Sequence, residues 1–345
     1  MMEKTYEVTI GIPVYNVEKY IRQTMDSALA QTFSSIEFLI CDDCGTDSSI
    51  EIVKEYQQTH PRGSDIRIVH QPQNMGIGAA RNRMIDEAKG KYFYSLDADD
   101  MIVENAIELL YNASQKYCAE IVYGSYERLY DNGSSKRTEE FLYPFRVFQE
   151  LDEYAEYVYN VGIQVMNWNY LICLDLIRRN NLRVTPVGHG YGEDFTFTVD
   201  LPTYITRAVL LPDITYIYYI EETVFKNKRK KEMSRKQMDL SIDSIDKKKR
   251  RKELKGKPYY SKRCSILMMY DFSFVCQILA RRKETTPPYT NKEIRNIMKY
   301  PMSLSELLSS KTLRTKDVAF WLSGILPPFL SVMLLRMYAH LLHRI

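Results

Sequence analysis

An α/β fold, with a mostly parallel central sheet flanked by helices, is what this 345-residue sequence predicts. Three observations carry the prediction. Short β-branched runs alternate with helix-spaced segments through the first 130 or so residues. Acid- or glycine-rich breaks fall just after the strand-like runs. The composition, 45% hydrophobic and 26% charged, is that of a globular chain long enough to bury a full core.

The elements follow in order. "VTIGIPV" (8–14) reads as a strand, and "VEKYIRQTMDSALAQ" (17–31) as a helix with Tyr20, Ile21, Thr24, Met25, Ala28 and Leu29 on one side. "IEFLIC" (36–41) is strand, "SSIEIVKEYQQ" (48–58) helix and "IRIVHQ" (66–71) strand. "GAARNRMIDEAKG" (78–90) is a helix closed by Gly90, and "KYFYSLD" (91–97) is strand. "ENAIELLYNASQ" (104–115) and "AEIVYGSYERLY" (119–130) repeat the helix–strand pair. The stretch from about 140 to 225 continues the same domain, completing the sheet and walling a cleft. From 226 to 257 fifteen Lys/Arg face five Asp/Glu, a change of character within a chain whose net charge is +3.

In an open α/β sheet, ligands bind beyond the carboxyl ends of the strands, so the residues just after each strand are the informative ones. They are Pro13-Val14-Tyr15-Asn16, Asp42-Asp43 and Asp97-Ala98-Asp99-Asp100. The pair Cys41 and Cys44 invites a zinc or dithiol reading. Zinc needs four ligands, and no second pair or Cys/His cluster exists. The two intervening acids raise thiol pKa values, where reactivity needs them lowered. The loop makes better sense through its aspartates. Adjacent strand residues point to opposite faces, so one of Asp42 and Asp43 faces the cleft, where a carboxylate can accept the imide N–H of uracil. Asp47 or Ser48 then caps the next helix.

In "SLDADD" extended geometry puts Asp97 and Asp99 on one side. Two carboxylates beside a polyanion require a bridging cation, and a hard divalent ion, Mg²⁺ or Mn²⁺, fits such oxygens while keeping positions for diphosphate. "NMGIGAARN" (74–82) supplies Gly76 and Gly78 for a tight helix entry and Arg81 toward phosphate or base; it is not a dinucleotide fingerprint. "GYGEDF" places Glu193 and Asp194 at a helix start, where a carboxylate base for an acceptor hydroxyl can stand.

Together, "IPVYN", "ALAQTFSSIEFLICDDCGTDSS", "NMGIGAARN", "SLDADD", "WNYLICLDLIRRNNL" and "GYGEDF", in that order over residues 6 to 225, resemble the family 2 glycosyltransferases of the GT-A fold. The resemblance implies that Pro13, Tyr15 and Asp43 contact the nucleobase and that Arg81 lies near base or phosphates. It also implies that Asp97 reaches ribose or metal, that Asp99 is the metal ligand, and that Asp194 is the base supported by Glu193. Trp168 and Asn169 fall on the acceptor side, with core packing the rival reading for Trp168. Two departures stand out. "DDCG" replaces the usual "DDGS", and "IEE" follows "YIYY" where many relatives carry an arginine. Between His189 and His340 no histidine offers a further metal contact, so a lysine or arginine in 226–236 is the candidate for the diphosphate.

These readings divide the chain into a catalytic domain, 1–225, and a basic helical region, 226–345. The nucleotide-binding half is about 1–125 and the acceptor half about 126–225. The expected activity is inverting transfer of a sugar from a nucleoside diphosphate donor, UDP before GDP, to a hydroxyl of a lipid-linked glycan in surface-polysaccharide synthesis. A metal-dependent nucleotidyltransferase and a non-catalytic nucleotide-sugar binder are the alternatives.

The charge-free run "VAFWLSGILPPFLSVMLL" (318–335) is broken by Pro327-Pro328 and followed by Arg336, His340, His343 and Arg344 on one stripe. The expectation is a tail, reinforced by the basic run, lying on an anionic membrane surface or else covering a core groove. The basic run lacks interleaved aromatics or a binding module, so no nucleic-acid partner is expected. The scattered cysteines and an N-terminus passing straight into a strand point to a reducing setting, cytoplasmic and peripheral at the inner face of the cell membrane.

Overall fold

The computed structural model describes residues 5–150, 152–161, 166–185, 193–222, 234–281, 286–310 and 314–342. It resolves into two compact units, one of residues 1–154 and 165–231, the other of 155–164 and 232–345.

The first unit is built on a ten-stranded sheet. Strands β1 (Tyr6–Val14), β2 (Ile36–Asp42), β3 (Ile66–His70) and β4 (Gly90–Ser95) lie in the order β3-β2-β1-β4, all parallel. β1 is buried along almost its whole length, the pattern of a parallel strand covered on both faces. Helix α1 (Ile21–Leu29) buries Ile21, Thr24, Met25, Ala28 and Leu29, the side its spacing predicts. α2 (Ser49–Thr59) and α3 (Ile77–Glu87) complete this half, and α4 (Ala106–Lys116) follows the two-residue strand β5 (Met101–Ile102). Asp47 does the capping at α2: its Oδ1 accepts from the Ser49 amide at 3.1 Å and the Ser49 hydroxyl at 2.6 Å.

Parallel pairing is confined to that half and to one later pair. β6 (Ile121–Asp131) lies parallel to β10 (Ala208–Glu221), while β7 (Lys136–Phe141), β8 (Arg146–Phe148) and β9 (Tyr170–Cys173) pair antiparallel. β9 enters between β4 and β6, turning the sheet mixed at its centre. β10 carries irregularities where Leu210–Tyr216 faces only Tyr123–Tyr126. Such bulges re-aim side chains. Here they turn Tyr216 into the core, its hydroxyl 2.6 Å from Asp100 Oδ2. The "IEE" acids belong to this unit: Glu221 accepts from Lys19 Nζ and Tyr20 Oη, and Glu222 from Arg137.

In the second unit, α5 (Glu153–Val161) starts at the boundary, and the short α6 (Leu174–Arg179) and α7 (Glu193–Thr198) fall back in the first. The rest is helical: α8 (Arg235–Lys249), α9 (Tyr260–Ala280), α10 (Asn291–Ile297), α11 (Leu304–Leu308), α12 (Thr315–Ile325) and α13 (Pro328–Leu341). Ser234, Thr290 and Ser303 form capping boxes with Gln237, Glu293 and Glu306, which fixes three of these helix starts. α9 is apolar and long enough to cross a membrane by length, but two-thirds of it is buried by its neighbours, as in a core helix. Pro327-Pro328 does break the charge-free run, ending α12 and opening α13 with proline at its first turn.

The basic run is less available than its charge suggests. Residues 226–233 lie outside the described residues. Beyond them Arg235 pairs with Glu293, Lys247 with Asp243, Arg250 with Asp246, Lys255 with Glu306, and Lys249 is buried against Asp271 at 2.7 Å. Much of the expected membrane reinforcement is thus spent on internal pairs.

Candidate active site

The carboxyl ends of β1, β2 and β4 open on one cavity of about 320 Å³, lined by Pro13, Tyr15, Asp43, Gly76, Asp97 and Asp99 among others. Six residues singled out from separate segments of the sequence therefore meet in one place. Tyr15 presents its ring at 44% exposure.

Asp42 and Asp43 do face opposite ways. Asp42 accepts the Cys44 amide at 3.0 Å and contacts His70 Nδ1 at 2.8 Å. Asp43 is 3% exposed and accepts the amides of Met75 at 2.8 Å and Gly76 at 2.9 Å. It therefore ties its own loop to the entry of α3, where Gly76 takes a φ of +85° that a side chain would strain. Cys44, at φ +59°, occupies the turn, and burial pushes the Cys41 thiol up to about 12. Among the described residues no group of three His, Cys, Asp or Glu is placed to enclose a metal. Neither thiol has the setting of a ligand or nucleophile.

The "LDADD" segment is a turn, not an extended strand: the Asp100 amide donates to the Asp97 carbonyl at 3.1 Å. Asp97 and Asp99 still line the same cavity, because helix α1 pins the turn from behind. Thr24 Oγ1 donates to the carbonyls of Ala98 and Asp100, and Gln23 Nε2 to that of Asp99. Asp100 turns inward and is fully buried, bonded by Tyr216 and by the Tyr219 amide. Burial, with Asp99 and Asp97 adding to it, raises its pKa well above the usual carboxylate range. Asp100 thus anchors β10 to the turn.

Arg81 is held between carboxylates. It is 4% exposed and bridges two carboxylates, donating from Nη2 to Asp97 Oδ1 and from Nη1 to Asp194 Oδ1, both at 2.8 Å. Burial works against its charge, but Asp97 and Asp194 outweigh it and raise the pKa further. Asn167, which the sequence reading passed over, donates to the same Asp194 oxygen at 2.7 Å. Both bonds converge on Oδ1, and among the described residues nothing bonds Oδ2. Asp194 has 37% of its side chain exposed. Partial burial, aided by Asp97 and opposed by Arg81, raises the Asp194 pKa above its ordinary value, toward that of a working base. Glu193 is buried beside it at the start of α7. The preceding "GHGYG" glycines lie outside the described residues.

Trp168 and Asn169 do not line the cavity. Trp168 is 7% exposed and stacks on Tyr216 at 4.4 Å, edge-on to Tyr126. Asn169 is 1% exposed, donating to the Gly124 carbonyl and accepting from Thr215 Oγ1 at 2.7 Å. Its amide is used up in joining β9, β6 and β10, which corrects the acceptor-side expectation for both residues.

The central sheet flanked by helices is the GT-A architecture that the sequence predicts, with the acids gathered at the ends of its parallel strands. Residues 9–172 match the glycosyl transferase family 2 description. The chain is 35% identical over 159 residues to the glycosyltransferase GlyA of Streptococcus pneumoniae, a match covering 46% of this chain and 21% of GlyA. With EpsJ of Bacillus subtilis, an uncharacterized glycosyltransferase, it shares 31% identity over 221 residues, 61% of this chain and 60% of that one. The match thus spans less than two-thirds of these relatives. Among solved structures, S. aureus TarS 1–349 in complex with UDP superposes with a TM-score of 0.56 at 18% identity, over 92% of this chain and 90% of that one.

Proposed function

We propose that the protein is an inverting glycosyltransferase that moves a sugar from a nucleoside diphosphate, UDP before GDP, to an acceptor hydroxyl. The observation that carries this reading is the convergence of Tyr15, Asp43, Asp97 and Asp99 on one cavity, with Asp194 joined to Asp97 through Arg81. The exposed Tyr15 ring offers a stacking face for a base, and Asp43 a buried acceptor for an imide N–H. Support for the donor comes from TarS, which has been captured with UDP and with UDP-GlcNAc. Support for a polysaccharide product comes from the chondroitin synthase of Escherichia coli, 40% identical over 109 residues that make up 15% of that protein. We assign the acceptor to a lipid-linked glycan.

The donor set fits a hard cation. Asp99 and Asp97 supply carboxylate oxygens, and Mg²⁺ or Mn²⁺ takes one or two of these with water and phosphate completing the shell. Both line the cavity, and Asp99 and Asp97 would be the residues to hold the ion. When bound, the ion stabilises negative charge on the departing diphosphate.

This chain's own residues handle the proton. Asp194 Oδ2 takes it from the acceptor hydroxyl as that oxygen bonds to the anomeric carbon. The bond to the diphosphate breaks on the opposite face, and the leaving group keeps its electron pair. No covalent intermediate is needed, so configuration inverts. Arg81 and Asn167 hold Oδ1 so that Oδ2 faces the acceptor.

Turnover of UDP-sugars in the presence of Mn²⁺ tests the proposal. Asp194→Asn and Asp99→Ala are each expected to lower kcat at least about 100-fold, with UDP as the released product. Near-normal turnover in either variant refutes that residue's role, and release of pyrophosphate from a nucleoside triphosphate instead identifies a nucleotidyltransferase.

A further inference from the structure

The outer face of α13 is as apolar as the face it buries. Ser331, Val332, Leu335 and Ala339 turn into the second unit's core. Phe329, Met333, Met337 and Leu341 stand 49% to 74% exposed. At a helical spacing of four these form one continuous row rather than scattered positions, and Ile325, 56% exposed, precedes the turn that leads into it. Single exposed apolar residues are ordinary, but a contiguous row marks an interaction surface.

Charge selects the occupant. Arg336 and His340, both exposed, fall beside Phe329 and Met333 on one margin of the row. From 318 to 345 the chain contains no acidic residue, and its charged side chains, Arg336 and Arg344, are both positive. A second copy related by a two-fold axis would set Arg336 near its own image, like charges at an apolar contact. Anionic headgroups accept the same charges while the acyl boundary takes the apolar row.

We infer that α13 is a docking surface for an anionic lipid bilayer, lying in the interface with Phe329, Met333 and Met337 inserted and Arg336 at headgroup level. The helix stays folded on its unit, because the buried face is a different one. The inference stands on this surface alone and does not depend on the proposed reaction.

The test is flotation of the full chain with vesicles of phosphatidylcholine, with and without an equal part of phosphatidylglycerol. Binding is expected to the anionic vesicles and to weaken with salt. The triple variant Phe329→Gln, Met333→Gln, Met337→Gln is expected to bind at least about tenfold more weakly, and Arg336→Glu about fivefold. Since all four side chains are exposed, the thermal midpoint is expected to stay put. Absence of flotation overturns the inference, as does unchanged binding by the triple variant. Concentration-dependent dimers that the triple variant dissolves, without vesicle binding, assign the face to a second copy instead. Failure here leaves UDP-sugar turnover unaffected, so the two readings fail separately.

Discussion

Asn167 holds the oxygen of Asp194 that Arg81 also holds, and its bond favours the charged carboxylate. Asn167→Ala removes it without touching Oδ2. The acid limb of kcat/KM is expected to move to higher pH, and kcat to fall about tenfold, the scale of one hydrogen bond to a charged group. An unmoved limb with normal kcat rejects the positioning role. At this scale the sequence told much. Asp97 and Asp99 were readable because both follow a strand at the ligand edge, although a turn, not an extended strand, brings them together. Arg81 was legible as a site residue but not as a bridge, since its partner Asp194 lies 113 positions away. Asn167 was missed, one residue before a segment that was noticed. Asn169 adopts φ +65°, which breaks the alternation that would relate 167 to 169 by face.

Among the elements, β10 is the one whose inward face simple alternation does not give. Six steps along it, Leu210 to Tyr216, match three steps along β6, Tyr123 to Tyr126. The surplus is odd, so inside and outside exchange across the irregularity. Pro212, which has no N–H to donate, stands exposed in that stretch. Thr215 fills a notch over Gly124: a Cβ there would come within 1.9 Å of Thr215 Oγ1. Gly124→Ala must displace Thr215, and with it the bond to Asn169. Overpacking of this kind costs about 1–3 kcal/mol, so a lower thermal midpoint is expected; an unchanged one means the strand pair can spread. The parallel order β3-β2-β1-β4 was legible because each strand is followed by a helix. The short β5, β7 and β8 carried no such signal, being two to six residues long.

For the whole molecule, the second unit contains its own pH dependence. Burial pushes Asp271 up to about 6, against the pull of Lys249. A carboxyl with a folded-state pKa above its unfolded value contributes stability that is full below about 3.8 and lost as pH rises through 6. The size is on the order of 3 kcal/mol. Glu306, held down at about 2 by the Ser303 cap and Lys255, works in the opposite sense but only below its ordinary pKa of 4.5. Between pH 4.5 and 7 the Asp271 slope is therefore expected to show in denaturant unfolding and to flatten in Asp271→Asn. Equal slopes in both chains reject the assignment.

The chain also crosses between the units more than once, since residues 155–164 belong with 232–345. Tyr159 stacks on Tyr259 at 5.3 Å, and Ala155 packs with both. No single cut therefore liberates the first unit cleanly. A fragment stopped near 225 would carry an orphaned sticky helix, and its poor yield would say nothing about whether the sugar chemistry is sound.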